Sequence, residues 1–339
     1  MWSRQRMAGP RKAIPPSFGF RNLDALLLPA RNYRYFQNWG RFPFDAAARE
    51  HSPVNAWWLA DCALLVYEDP ENIRSVLGSV NCFAPASFRL FENPRTGLCG
   101  FAVQGEDFAV LSLRGTEFYR PADIVRDLDK LASMGTDIRQ DMKLRMGPFD
   151  GPPKFQVPVV QGFCQPLRSI WTDLENWISS LPRSSNLWLT GHSLGAAMAA
   201  MIAFQFPDQV AGLYTYGCPC PGGQEFADAF GHLGLDQRSF RYVHGNDLVA
   251  KGLEFPGTPY RHVGTLVAID TESRKNLLER AWSGGTPGHD GPCPAVLCLA
   301  DLEPDPRLRH GESGSNQSVF ISRIRHHGLD GSSWRRRHA

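Results

Sequence analysis

A short apolar run, a glycine-bounded pentapeptide and a stretch of small residues follow one another between residues 186 and 206. The run at 186–190 has the length of a buried strand, and residues 191–195 have the pattern G-x-S-x-G with Ser193 at its centre. A strand that turns sharply into a helix at such a pentapeptide forms a nucleophile elbow, which raises the serine hydroxyl above the edge of a sheet. The pentapeptide alone has low specificity, and an incidental serine in a glycine-bounded turn is the alternative. Its position between a predicted strand and a predicted helix favours the elbow.

Strand-like and helix-like segments continue to alternate after the pentapeptide. Pro207 ends the small-residue helix, and the apolar runs at 210–216 and 241–244 predict strands on either side of a helix over 226–233. This alternation is typical of a mostly parallel sheet that is covered by helices. We therefore expect an α/β fold.

Segments earlier in the chain predict elements that fit the same fold. Ser52 can cap a helix that begins at Pro53, and Pro70 is expected to stop it. The predicted elements are a helix over 53–67, a hairpin of strands at 100–103 and 108–113, irregular chain over 117–160, and a helix over 165–181.

The composition excludes several classes of protein. Hydrophobic residues make up 42% of the 339 positions and charged residues 21%, which suits a globular protein with a large core. The net charge of +2 lacks the basic excess of a nucleic-acid binder. We expect an extended leader over 1–50, an α/β domain over 51–309 and a disordered basic tail over 310–339.

Cysteine usage and the N-terminus favour a cytoplasmic location. The basic N-terminus is not followed by the apolar region of a secretory signal. Eight cysteines are scattered without a dense framework, so free thiols are expected. Cys218 and Cys220 are too close for an ordinary disulfide and lack the second pair that a zinc site needs. No glycine-rich phosphate loop or convincing metal-ligand cluster occurs, so we expect neither a cofactor nor a metal.

The serine at the elbow needs a base and an orienting acid, because a neutral hydroxyl is a poor nucleophile. In hydrolases with this elbow the acid and then the histidine follow the serine along the chain. Asp247 follows the predicted strand at 241–244 and occupies the position expected for the acid. Taken alone, Asp247 would be interpreted as a turn aspartate that binds its own backbone; the elbow favours a catalytic role.

Two further residues are candidates for stabilising a developing oxyanion. Thr116 follows the predicted strand at 108–113, and Gly115 before it allows a close turn. Thr116 could donate through its N–H and its hydroxyl. The second donor would be the N–H of Leu194, directly after the serine.

Together these stretches resemble the class 3 lipases, the fungal-lipase-like family of the α/β-hydrolases. The matching segments are 55–60, 111–116, 190–197, 214–217 with Pro219 and Gly222, 241–247 and 260–264. The resemblance covers about 52–270 and implies an α/β-hydrolase fold with a mostly parallel central sheet and helices on both faces. It implies hydrolysis of carboxylic esters, typically acylglycerols, without a cofactor. It also implies lipid or small ester substrates and a lid within 117–135. We further expect transient contact with a membrane or lipid surface, and the charge balance argues against binding of nucleic acid. Lipases of this family are often exported, so secretion is the alternative to the cytoplasm.

The chain departs from the family pattern at two places. Gln161 stands where the family usually has a non-catalytic histidine. More importantly, the family's catalytic histidine commonly follows an aspartate near the C-terminus, whereas Asp301 is followed here by Leu302. The histidines after Asp247 are His262, His289, His310, His326, His327 and His338. His262 belongs to a non-catalytic family segment and the last three lie in the charged tail, which leaves His310 as the preferred base and His289 as the second candidate.

Two interpretations follow from the missing aspartate–histidine pair. In the first, the chain is a serine lipase or esterase with the triad Ser193, Asp247 and His310. In the second, it is a catalytically disabled α/β-hydrolase-fold binding protein without a general base. The change in composition after about residue 290 suggests a related hypothesis, that the C-terminal end is read out of the family's frame. An aspartate–histidine pair in another frame of the coding sequence would support that hypothesis.

Overall fold

The computed structural model describes residues 33–115, 145–244, 250 and 258–269. The helices are α1 (Pro53–Leu65), α2 (Pro70–Gly78), α3 (Gln161–Arg168), α4 (Trp171–Ser180), α5 (Leu194–Gln205) and α6 (Gln224–His232), with short 3-10 turns at Trp39–Arg41 and Asp236–Arg238. The strands are β1 (Ala84–Asn93), β2 (Leu98–Gln104), β3 (Phe108–Leu113), β4 (Met146–Phe149), β5 (Phe155–Val160), β6 (Asn186–His192), β7 (Val210–Tyr216), β8 (Gly222–Gly223), β9 (Ser239–His244), β10 (Tyr260–Arg261) and β11 (Thr265–Ile269).

Seven strands form the central sheet in the order β1-β2-β3-β6-β7-β9-β11. The first two strand pairs are antiparallel, and every pair from β3 to β11 is parallel. The predicted α/β architecture with a mostly parallel sheet is therefore confirmed. Because parallel strands end at the same edge, the chain segments after β3, β6, β7, β9 and β11 all leave the sheet on one side.

Helices bury both faces of this sheet, as near-continuous apolar strands require. On β6, Leu189 packs in a core with α3, α4, α5 and α6, while its neighbour Trp188 packs in a second core with α1 and α2. The longest described helix has 13 residues. None of the helices in the described ranges is long and apolar enough to cross a membrane.

The segment before α1 packs against that helix. The fully buried carboxylate of Asp61 accepts hydrogen bonds from the Tyr33 hydroxyl and the Phe36 N–H. The Trp58 indole N–H donates to the Phe42 carbonyl at 2.8 Å. Residues 33–48, which the sequence assigned to an extended leader, therefore contribute to the core. The division of the whole chain at 50 and 310 remains a prediction, and residues 1–32 and 310–339 lie outside the described ranges.

Helix α1 is joined to the central sheet by hydrogen bonds as well as by apolar packing. Three buried hydroxyls on neighbouring strands donate to main-chain carbonyls that are spaced three residues apart on one side of the helix. The pairs are Ser112 with Cys62 at 2.9 Å, Thr190 with Leu59 at 3.0 Å, and Tyr216 with Ala56 at 2.5 Å. A carbonyl oxygen has two lone pairs, so each can accept such a hydroxyl beside its bond within the helix. These contacts fix the position of α1 along the sheet.

Two predicted helices differ from the structure at their ends. The helix predicted over 165–181 is two helices, α3 and α4, because the Ser169 hydroxyl and N–H both donate to the Pro166 carbonyl and end the first. Pro70 was expected only to stop the preceding helix. It instead begins α2, whose first amides are capped by the Asp69 carboxylate.

A second, smaller sheet corrects the prediction of irregular chain over 117–160. Strands β4 and β5 lie within that range and form a four-stranded sheet in the order β10-β8-β5-β4. The partner of β5 is β8, whose Gly222 pairs with Val159. Strand β8 has only two residues, and β5 pairs with it across some sixty positions, so local patterns do not predict this pairing. The sequence did not predict β1 and β11 either, although β1 has ten residues and pairs with the adjacent β2.

Candidate active site

Ser193 lies at the junction of β6 and α5, as predicted for an elbow. Its backbone has φ 55° and ψ −126°, in a region that residues with a side chain rarely adopt. Holding such a conformation costs on the order of 1–3 kcal/mol. The Ser193 N–H donates to the Tyr216 carbonyl at 3.0 Å, and its own carbonyl accepts from Ala196 at 3.0 Å. The side chain is partly exposed, so the turn presents a hydroxyl at the carboxyl edge of the sheet.

The two glycines of the pentapeptide are required by close backbone contacts. A Cβ on Gly191 would lie 2.6 Å from the Gly195 carbonyl carbon, and a Cβ on Gly195 would lie 2.1 Å from the Leu113 carbonyl oxygen. The obstructing atoms are backbone atoms, which cannot move away as a flexible side chain can. The predicted role of these glycines in bringing strand and helix together is confirmed.

Gly115 brings the end of β3 against the elbow. A Cβ on Gly115 would lie 2.8 Å from the Tyr67 hydroxyl oxygen, 3.0 Å from the His192 carbonyl oxygen and 3.3 Å from the Ser193 Cβ. Gly115, the residue before Thr116, therefore lies against the serine. Thr116 itself and the predicted lid at 117–135 lie outside the described residues.

Leu194 is the first residue of α5 and directly follows the serine. The N–H of a first helical residue has no acceptor inside its own helix. The amino end of a helix also carries a partial positive charge that favours a developing anion. This placement fits an oxyanion donor, and the role remains a prediction.

His192, beside the serine, contacts a residue that the sequence analysis did not identify. Burial lowers the pKa of His192 to about 4, so its ring is neutral near pH 7. Its Nδ1 lies 3.0 Å from the Tyr67 hydroxyl oxygen, which also accepts from the Gly115 N–H at 3.2 Å. Tyr67 follows α1, more than a hundred residues before the pentapeptide, and no local signal in the sequence connects the two.

Asp247, His289 and His310 lie outside the described residues. Strand β9 ends three residues before Asp247 and is separated from β6 by β7 alone, a distance of about 10 Å at the usual strand spacing. The topology thus brings the end of β9 to the edge that holds Ser193. The roles of these three residues remain predictions.

Burial shifts the pKa values of two further groups, His262 and Cys218. Burial, with a smaller contribution from Arg241, lowers the pKa of His262 to about 4. Burial also raises the pKa of the Cys218 thiol to about 12. The six cysteines in the described ranges are free. Within those ranges, no group of three or more histidine, cysteine or acidic residues could hold a metal ion.

Comparison with known proteins gives one family and several similar folds. The class 3 lipase family matches residues 110–254, a range that includes Gly115, Ser193 and Asp247 and ends before His289. A lipase from Rhizopus microsporus var. chinensis is 19% identical, with a TM-score of 0.45 over 70% of this chain and 82% of that one. Lipase II from Rhizopus niveus is 16% identical, with a TM-score of 0.46 over 65% and 82% of the two chains. The Rhizomucor miehei triacylglyceride lipase is 18% identical, with a TM-score of 0.43 over 58% and 70%.

Proposed function

We propose that this chain is a serine carboxylic-ester hydrolase with acylglycerol-type substrates, because residues 110–254 match the class 3 lipase family and the fold is that of the α/β-hydrolases. The family match supports a lipase-type ester hydrolase in general. The observation that carries the more specific proposal is the strained, partly exposed Ser193 between β6 and α5. Such strain persists where the surrounding structure over-determines it, and it is concentrated at functional sites.

The proposed reaction begins at Ser193. Its Oγ attacks the ester carbonyl while a histidine removes the hydroxyl proton, and Asp247 orients that histidine and stabilises its cationic form. His310 is the preferred base and His289 the second candidate. The carbonyl oxygen becomes an oxyanion, which the Leu194 N–H and Thr116 stabilise.

The tetrahedral intermediate then collapses to an acyl-enzyme. The bond to the alcohol oxygen breaks, and the histidine gives its proton to the leaving alcohol. Water repeats the attack on the acyl group, again with the histidine as base, and releases the carboxylic acid and the free serine. Each oxyanion donor is expected to contribute about 3 kcal/mol to transition-state stabilisation.

The test is hydrolysis of p-nitrophenyl butyrate and p-nitrophenyl palmitate by the purified protein and by Ser193→Ala. We expect the substitution to lower kcat by about 10⁴-fold or more. Ser184 is an exposed serine just before β6, and Ser184→Ala is the matched control that retains full activity. Equal background with the wild type and Ser193→Ala would contradict the proposal and favour the disabled binding protein.

A second experiment identifies the base. His310→Ala is expected to abolish hydrolysis and rapid labelling by a fluorophosphonate, since only an activated serine reacts quickly. His289→Ala is expected to retain both. The opposite result would assign the base to His289, and full activity in both variants would exclude both histidines.

The proposed substrates are lipid or small esters, with transient contact at a lipid surface. The ratio of the two p-nitrophenyl rates separates an esterase from a lipase. A jump in the palmitate rate when vesicles or emulsion are added would support contact with a lipid surface.

A further inference from the structure

One phenolic hydroxyl joins the end of β3 to the nucleophile elbow. The Gly115 N–H donates to the Tyr67 hydroxyl oxygen at 3.2 Å, and the same oxygen lies 3.0 Å from Nδ1 of His192. Burial keeps the His192 ring neutral. The Tyr67 hydroxyl therefore links the Gly115 N–H, from which it accepts, to the neutral ring of His192.

Gly115 also lies against the elbow itself. A Cβ at this position would meet the Tyr67 hydroxyl at 2.8 Å, the His192 carbonyl at 3.0 Å and the Ser193 Cβ at 3.3 Å. The backbone of Gly115 thus packs against both Tyr67 and the residues of the elbow. A shift of the Tyr67 ring would change the distance between Gly115 and Ser193.

Tyr67 is itself held by the fold. Its N–H donates to the Leu64 carbonyl at 3.1 Å, directly after α1. Helix α1 is fixed on β3, β6 and β7 by the three buried hydroxyls described above. The Tyr67 ring also contacts the His192 ring, with centroids 6.0 Å apart and planes inclined at 61°. The sheet that carries Ser193 therefore determines where the Tyr67 hydroxyl lies.

We propose that Tyr67 is a positioning residue, which holds Gly115 at the end of β3 at a fixed distance from Ser193 through its contacts with Gly115 and His192. The inference rests on the proposed esterase function, because Thr116, the next residue after Gly115, is there assigned to the oxyanion. Tyr67 acts through its neighbours and does not contact the substrate. A misplacement of about 1 Å in a catalytic group can cost about 100-fold in rate, so loss of this hydroxyl should reduce turnover.

The first test is Tyr67→Phe, which removes the hydroxyl and keeps the ring. We expect kcat for p-nitrophenyl butyrate to fall about 10-fold or more, with KM unchanged within about twofold. The reason is that the proposed oxyanion donors stabilise the transition state and do not bind the ground-state substrate. The matched control is Tyr35→Phe. Tyr35 also lies beside α1, and its hydroxyl donates to Glu68 at 2.8 Å. We expect the Tyr35→Phe variant to lose a similar amount of thermal stability and to keep full activity.

The second test is a double-mutant cycle with His192→Leu, which removes the ring nitrogen that the Tyr67 hydroxyl contacts. If Tyr67 and His192 act as one unit, the kcat of the double variant is no lower than that of the single variant with the lower kcat. If His192→Leu does not fold, the comparison of Tyr67→Phe with Tyr35→Phe still decides the matter.

Each outcome bears on a different statement. An active wild type with unchanged kcat in Tyr67→Phe overturns this inference and leaves the proposed function standing. A raised KM at unchanged kcat overturns it too, since it would place Tyr67 in substrate binding. A wild type as inactive as Ser193→Ala contradicts the proposed function, and this inference with it.

Discussion

Helices α1 and α5 cover opposite faces of the central sheet and are attached to it by different forces. Every buried side chain of α5 is apolar, and most are alanine, which lets the helix approach the strands closely. Helix α1 buries 11 of its 13 residues, including Asn55 and Asp61, and accepts three hydroxyl hydrogen bonds from the strands.

The difference shows which interactions fix the position of each helix beside the elbow. Apolar packing is non-directional and depends mainly on the area removed from water, so the position of α5 is specified chiefly by the close backbone contact at Gly195. Hydrogen bonds are directional and specify particular atoms, so α1 is fixed in register on the sheet. Tyr67, which follows α1, acquires its position over the elbow from these hydrogen bonds.

The largest expected effect tests the close approach of α5. Gly195→Ala would place a Cβ 2.1 Å from the Leu113 carbonyl oxygen, and we expect a loss of more than about 3 kcal/mol in the free energy of unfolding. Gly40 has no atom within 4 Å of its Cβ position, so Gly40→Ala is the control. Urea unfolding of both variants measures the difference. A Gly195→Ala variant as stable as the wild type would refute the steric account of α5.

The next effect tests the polar attachment on the α1 side. Asp61→Ala removes the acceptor of the Tyr33 hydroxyl and the Phe36 N–H, and we expect a loss of about 3 kcal/mol because a buried backbone donor is left without its partner and the Tyr33 hydroxyl loses its contact. Limited proteolysis should then cleave within 33–48 first. Asp208 is exposed, and Asp208→Ala should change neither property. Equal proteolysis patterns in all three proteins would mean that Asp61 does not hold this segment.

A smaller effect tests the hydroxyl contacts with α1. Thr190→Val preserves shape and removes the buried hydrogen bond to the Leu59 carbonyl, and we expect a loss of about 1 kcal/mol in unfolding free energy. Thr96 is exposed and donates to the Asn93 carbonyl at 3.3 Å, so Thr96→Val makes the same change where water can replace the contact. Its loss should be within about 0.5 kcal/mol. Similar losses of stability at both positions would show that burial does not strengthen the hydrogen bond of the Thr190 hydroxyl.

The smallest effect at neutral pH concerns His51, just before α1. Burial lowers its pKa to about 4, so the unfolded chain binds more protons between about pH 4 and 6.5 and stability falls as pH falls through that window. His51→Gln keeps a hydrogen-bonding group for the Tyr242 hydroxyl and should flatten this slope by at most about 1.4 kcal/mol per pH unit.

Urea unfolding at pH 7, 6 and 5 measures the slope for the wild type, His51→Gln and His232→Gln. His232 is exposed, and its substitution should leave the slope unchanged. His192 and His262 carry similarly lowered pKa values, so part of the slope remains in every variant. A slope in His51→Gln equal to that of the wild type would mean that His51 is not buried in neutral form.

The elements that local sequence predicted are those whose signals lie within one segment. Strand β7 coincides with the predicted range 210–216, because it is a continuous apolar run. The start of α1 agrees to the residue, since the Ser52 side chain accepts from the Asn55 N–H and Pro53 opens the helix. Ser193 and Leu194 were placed correctly at the elbow because the glycines that permit the turn are their near neighbours in sequence.

Other features depended on distant partners and were missed or left open. The small second sheet pairs β5 with β8 across some sixty residues, and β8 has only two residues, which is too few to show a period. Tyr67 reaches His192 over 125 positions. Thr116, Asp247 and His310 remain predictions from the sequence, since they lie outside the described residues.

The sequence by itself determined the turn at 191–195, the parallel α/β alternation around it and the serine at its centre. These follow from hydrophobic periodicity and from backbone geometry that only glycine allows at two positions. The tertiary structure alone decided which residues surround that serine. The contacts of Tyr67, Gly115 and His192 form only when strands and helices far apart in sequence pack together, and no local pattern specifies which distant atoms will meet.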